Sequence, residues 1–145
     1  MMKRNAIAIA MLVCWAAQIQ AAEWLTDLPQ ALAKARTEKK LVLMDFTGSD
    51  WCPPCKALHE TVLTSRKFED YADKNLVLVV VDFPNKTKQP KELKEANAAL
   101  AKEFKIDGYP TVILLDPDRK QLKNMLGYGG ETPDEFIAKL AVGGQ

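Results

Sequence analysis

Residues 41–56 read Leu41-Val42-Leu43-Met44-Asp45-Phe46-Thr47-Gly48-Ser49-Asp50-Trp51-Cys52-Pro53-Pro54-Cys55-Lys56, and the order of chemistries in this stretch decides the fold. The first six residues are an apolar run broken by one acid, of a length that fits a strand buried on both faces. Thr47 to Asp50 is a loop of turn-forming residues. Pro53 and Pro54 are tolerated only in the first turn of a helix, so a helix over residues 52–63 starts at Cys52. A buried strand that loops into a helix is half of a βα unit, the building block of α/β folds.

Two cysteines three residues apart at a helix start have their sulfurs on one side of the first turn, within disulfide reach. Cys52 sits where unpaired backbone N–H groups and the helix dipole favour an anion, so its thiol is expected to be more acidic than a free one. Cys55, one turn in and in line with Leu58 and Val62, is expected to be the more buried. The two then divide the work: Cys52 attacks, and Cys55 resolves the mixed disulfide. A structural disulfide and half of a metal site are the competing readings. A zinc site needs about four ligands, and the one histidine of the chain, His59, lies two helical turns or ~10 Å beyond Cys52. It reads as an ordinary helix residue, and no metal site is expected.

Before the motif, Asp27-Leu28-Pro29-Gln30 opens a helix, with Asp27 as cap, Gln30 at the capping-box position and proline in the first turn. Leu28, Leu32 and Ala35 share its face, and Lys39-Lys40 closes it. After the motif come a helical piece over residues 65–72 and an apolar strand over 76–83. A polar loop over 84–90 leads to a helix over 91–104, with Leu93, Leu100 and Phe104 on or near one face. A strand over 111–115 turns through Asp116-Pro117-Asp118-Arg119 into a partner over 121–126. Thr132-Pro133-Asp134-Glu135 opens the last helix with a capping box, and Phe136, Ile137 and Leu140 form its buried side. Strands joined by helices imply parallel pairing, and the final hairpin adds antiparallel strands. The fold class is α/β: a central mixed β-sheet flanked by helices on both faces. Lys86, Lys88, Lys91 and Lys94 read as a solvated loop and helix face, with a partner patch as the alternative.

A chain of 145 residues, 48% hydrophobic and 27% charged, is one ordinary globular domain. Its net charge of +1 supplies no broad basic surface, so no nucleic-acid partner is expected. Its three cysteines are too few for a disulfide-stapled scaffold. The first 22 residues read separately. Lys3 and Arg4 precede an apolar run over residues 6–17 that includes Cys14, and small Ala21 and Ala22 mark a cleavage point, the pattern of a secretory signal peptide. Residues 23–145 form the mature domain, which keeps only Cys52 and Cys55. Nothing after Ala22 is long and apolar enough to span a bilayer, so no stable membrane insertion is expected after cleavage. The expected location is periplasmic or secreted, where a cysteine pair can oxidise.

The motif Trp51-Cys52-Pro53-Pro54-Cys55-Lys56, following a strand that ends Asp45-Phe46, resembles the thioredoxin family. So does Gly108-Tyr109-Pro110-Thr111 before the next strand. The similarity covers residues 41–140, and residues 47–52 resemble a branch of exported bacterial thioredoxin-like proteins. The resemblance implies a thioredoxin-like fold and a thiol–disulfide oxidoreductase, with no bound organic cofactor. Its partners would be protein thiols and disulfides and an upstream electron-donor protein. It implies a cis Pro110 against the cysteine pair, Tyr109 offering backbone groups to an extended substrate, and Trp51 packed beside the site. It also implies that Asp45 assists proton transfer to Cys55 through water; a solvated strand-end acid is the alternative reading. Two departures bear on Asp45. It stands seven positions before Cys52, one more than in thioredoxin, and the lysine that thioredoxin carries on the neighbouring strand has no counterpart in residues 76–81. Strongly oxidising relatives carry histidine where this chain has Pro54, which points to reduction or isomerisation. A redox-inactive binding module with a structural disulfide and a soft-metal thiol protein are the rival functions.

Overall fold

The two apolar runs of the sequence become two of the three inner strands of a five-stranded sheet in the computed structural model, which describes residues 21–141. The signal-peptide reading therefore lies outside the described residues except at Ala21 and Ala22. Strand β2 (Leu41–Thr47) and strand β3 (Leu76–Asp82) pair in parallel over their whole length, with Leu41 opposite Leu76 and Thr47 opposite Asp82. A short β1 (Trp24–Leu25) adds to the outer side of β3. The hairpin of β4 (Thr111–Leu115) and β5 (Gln121–Leu126) completes the order β1-β3-β2-β4-β5.

Because side chains alternate along a strand, the sheet carries two apolar faces. Leu43, Leu78, Val112 and Leu114 lie with α2 (Pro53–Leu58), α3 (Arg66–Asn75) and α5 (Pro133–Leu140) in one cluster. Val42, Met44, Phe46, Val77, Val79 and Val81 pack on the other face against α1 (Leu28–Glu38) and α4 (Lys91–Glu103). Beyond Leu41, every residue of β2 is buried. The chain is thus the α/β mixed sheet with helices on both faces that the sequence predicts.

Several local expectations are corrected. The helix-linked strands are parallel for β1, β2 and β3, but β4 lies antiparallel beside β2 and does not pair with β3. The cause is where the connection ends. Asp82 pairs with Thr47 and Thr111 pairs with Phe46, so β3 finishes and β4 starts at the same end of the sheet, and β4 must run back. This delivers Pro110 to the end of β2 from which the cysteine loop departs. The helix over residues 52–63 is α2 followed by a π-helical turn, His59–Leu63. Asp27 occupies the N-cap of α1 without a side-chain cap hydrogen bond. The capping box at Thr132 and Glu135 is fully formed, and Ser65 caps α3 by accepting from the Phe68 N–H at 3.2 Å. On α4 the buried residue is Asn97, whose amide donates to the Asp82 carbonyl at 3.0 Å.

Candidate active site

The loop from β2 closes on itself through the Cys52 N–H, which donates to the Gly48 carbonyl at 2.9 Å, and this sets the start of α2. A helix start offers four free N–H groups, but Pro53 and Pro54 have none. Of the two that remain, Cys52 donates to the Gly48 carbonyl and Cys55 donates to Cys52 Sγ at 3.3 Å. Cys52 is therefore the N-cap, its sulfur standing where a side-chain oxygen usually stands. Cys52 and Cys55 are joined by a disulfide with Cα atoms 5.2 Å apart. The expected difference in burial is not found: each is 3% exposed. Cys52 is instead distinguished by its N–H donor, and Cys55 by what lies behind it.

Behind Cys55 is a cavity of about 590 Å³ lined by residues that include Asp45, Thr47, Ser49, His59, Glu60 and Val80. Asp45 is 5% exposed, and its Oδ1 has no hydrogen-bond partner. The residue paired with it on β3 is Val80, so no cation compensates the charge from that side. Burial first, and then repulsion from the Asp82 carboxylate, pushes the Asp45 carboxyl up to about 7. The reading of Asp45 as a solvated strand-end acid is thereby corrected. A cavity this large and bordered by polar groups has room for water, and it puts an acid that changes charge near neutrality on the same space as Cys55.

The other side of the site is aromatic. Trp51 is 39% exposed, donates through Nε1 to the Phe83 carbonyl at 2.7 Å, and meets the Tyr109 ring edge-on at 5.7 Å between centroids. Tyr109 also packs on Phe83, at 5.4 Å. The Tyr109–Pro110 peptide bond is cis, and Pro110 is buried. Trp51 and Tyr109 thus join the cysteine loop to the proline loop, while Asp45 and Cys55 share the cavity behind the disulfide.

Three further residues, His59, Phe83 and Asp50, take part in the site. His59 lies four residues after Cys55, which puts both on one helix face, and that spacing was the available signal. Phe83 had no signal beyond being an aromatic at a strand end. Asp50 stands two residues before Cys52, where its negative charge would oppose a thiolate. Its carboxylate instead accepts three backbone N–H groups, from Asn85, Lys86 and Thr87, which hold it down at about 2. Among the described residues, no group of three or more His, Cys, Asp and Glu side chains is placed to hold a metal ion, and no helix is long and apolar enough to cross a membrane.

A disulfide at the start of the helix that follows a central strand, beside a cis-proline loop at the same end of a β1-β3-β2-β4-β5 sheet, makes this the redox site of a thioredoxin-fold protein. The chain belongs to the thioredoxin-like family: the family model described as a thioredoxin-like domain matches residues 28–143. It is 36% identical over 96 residues to the disulfide bond reductase DsbH of Chlamydia pneumoniae, covering 66% of this chain and 58% of that protein. It is 31% identical over 109 residues to the thioredoxin-related protein DsbJ of the same organism, covering 75% and 31%. The match thus spans little more than half of the first relative and under a third of the second. The solved structure of a DsbH oxidoreductase superposes with a TM-score of 0.77 at 31% identity over 83% of each chain.

Proposed function

We propose that this chain is an exported thiol–disulfide oxidoreductase that reduces or isomerises disulfides in other proteins. The observation that carries the reading is the unequal surroundings of two bonded cysteines. Cys52 receives the one N–H of the helix start not used by the backbone, and Cys55 shares a cavity with a buried acid poised at about 7. The name and similarity of DsbH support the reductase direction. The signal-like pattern of residues 1–22 supports export to the periplasm or beyond.

In the reduced form the Cys52 thiolate attacks a disulfide sulfur of the substrate. The substrate S–S bond breaks, one substrate thiolate leaves and takes a proton from solvent, and Cys52 is left in a mixed disulfide. Asp45 accepts the Cys55 proton through cavity water. The Cys55 thiolate then attacks the Cys52 sulfur, expels the second substrate thiolate and closes the Cys52–Cys55 disulfide. Two electrons have passed to the substrate, and a dithiol donor protein must return them. Two prolines where N–H groups would otherwise stabilise a thiolate leave the reduced form without special support, which suits a potential of about −270 to −200 mV. Reduction of insulin disulfides, coupled to dithiothreitol, tests the proposal. The wild type accelerates it and Cys52→Ser does not; equal rates for the two would leave the disulfide a structural staple on a binding module.

A further inference from the structure

The lysines that the sequence presents as a solvated face are carried to the redox site by the fold. Residues 49–51 make six hydrogen bonds to residues 82–87. Asp82 accepts from the Ser49 N–H at 3.0 Å and from the Ser49 hydroxyl at 2.5 Å. Phe83 accepts from Trp51. Asp50 accepts from Asn85, Lys86 and Thr87 at 2.9, 2.7 and 2.9 Å. The loop after β3 is thereby bolted to the loop that ends in Cys52. Two residues of chain reach at most ~7 Å, so the Asp50 anchor stands within about one Debye length of Cys52 at physiological salt.

Lys86 and Lys88 project from this bolted loop, both exposed. Among the described residues neither takes part in a salt bridge. Lys91, by contrast, lies 3.7 Å from Glu95. The two acids of the bolt keep their negative charge but turn it inward, Asp50 onto backbone N–H groups and Asp82 onto Ser49. The result is an aromatic pair, Trp51 and Tyr109, at the cysteine loop, with two exposed lysines outside any salt bridge on the loop at one side. Protein interfaces have this anatomy, an apolar core and a polar rim. The full chain carries a net charge of only +1 and loses Lys3 and Arg4 on the cleavage expected after Ala22, so the overall field is small and local charge at the rim is what a partner meets.

We propose that Lys86 and Lys88 form a docking lip for acidic residues flanking the disulfide or dithiol of the protein partner that reacts at Cys52. The inference rests on the oxidoreductase reading and adds a class of partner to it. Complementary rim charge acts mainly on the encounter rate and fades with salt.

Two synthetic peptides with the same intramolecular disulfide loop, one flanked by glutamates and one by lysines, supply the probe. Their reduction by the fully reduced protein is followed by chromatography at low and high salt, beside the neutral disulfide of 2-mercaptoethanol. The expected result is a preference of about tenfold for the acidic peptide at low salt, the lower end of electrostatic steering, collapsing at high salt. Lys86→Gln/Lys88→Gln should bring the ratio near one and Lys86→Glu/Lys88→Glu should invert it, while the rate with the neutral disulfide stays at the wild-type value. Equal rates for the two peptides, or a preference that survives both double variants, overturn the lip. Failure of the wild type to reduce the neutral disulfide strikes the oxidoreductase reading itself, and the lip falls with it.

Discussion

Replacing Asp45 with asparagine should change how stability depends on pH, with a sign and size that the site dictates. The carboxyl titrates at about 7 in the folded chain against an ordinary 3.8. That gap of roughly three units corresponds to about 4 kcal/mol at ~1.4 kcal/mol per unit. Between the two values the folded chain keeps a proton that the unfolded chain has released. Wild-type stability therefore falls as pH rises from about 4 to about 7 and levels off above. An amide never ionises, so Asp45→Asn lacks this fall. The amide brings its own cost of about 1–3 kcal/mol for buried N–H groups without partners, but that cost is the same at every pH. The quantity to read is the slope of the difference. Urea unfolding of the oxidised proteins between about pH 5 and 8 should show the variant gaining on the wild type by up to ~1.4 kcal/mol per pH unit until the gain saturates near 7. Parallel stability curves would refute the burial of an ionisable Asp45. In the reduced protein the same substitution should slow turnover on the order of a hundredfold, the low end of what positioned proton transfer contributes, and leave attack by Cys52 intact.

Brief iodoacetamide treatment of the reduced protein near neutral pH should label Cys52 before Cys55, because the free N–H of the helix start points at Cys52 Sγ; faster labelling of Cys55 by mass spectrometry would reverse the roles. Pro54→Ala returns an N–H to the first turn, and one further hydrogen bond to a charged group is worth about 1.5 kcal/mol. A glutathione titration under mildly alkaline conditions should find the potential about 30 mV less negative, and an unchanged or more negative value would exclude N–H donors as its control. A Cβ on Gly48 would fall inside the Trp51 indole. Gly48→Ala should therefore displace Trp51 from Phe83, cost about 1–3 kcal/mol in urea unfolding and shift tryptophan fluorescence; wild-type stability and spectrum would contradict the packing.

What could be read from the chain depended on whether the information was local. Pro53 and Pro54 fix a helix start, Thr132 and Glu135 announce a capping box, and unbroken apolar runs mark strands covered on both faces. Each was found in place. Pairing direction was not local: helical linkers favour parallel neighbours, but the linker between β3 and β4 begins and ends at one end of the sheet, which reverses β4. The two residues of β1 are too few to carry a period. At the site, Cys52, Cys55, Trp51, Tyr109 and Pro110 were legible as a motif. The equal burial of the two cysteines was not, because it is produced by the loops around them. The depth of Asp45 was ambiguous for the same reason. The role of Asp50 was hidden because its partners are backbone N–H groups 35 to 37 residues away, which leave no mark on side-chain identity. The lysines of the loop after β3 carried no such local mark either; it is the bolt to Asp50 that sets their loop against the one ending in Cys52.

The central claim is that Cys52 forms the covalent link to substrate and Cys55 releases it. Cys55→Ser removes the release step and leaves the attack. Incubated with an excess of a disulfide-bonded peptide and analysed by mass spectrometry without reductant, this variant should accumulate a one-to-one adduct through Cys52. Cys52→Ser should accumulate none, and the wild type should return to its own disulfide with reduced peptide released. An adduct that forms only on Cys52→Ser, through Cys55, or no adduct on either variant, would contradict the account.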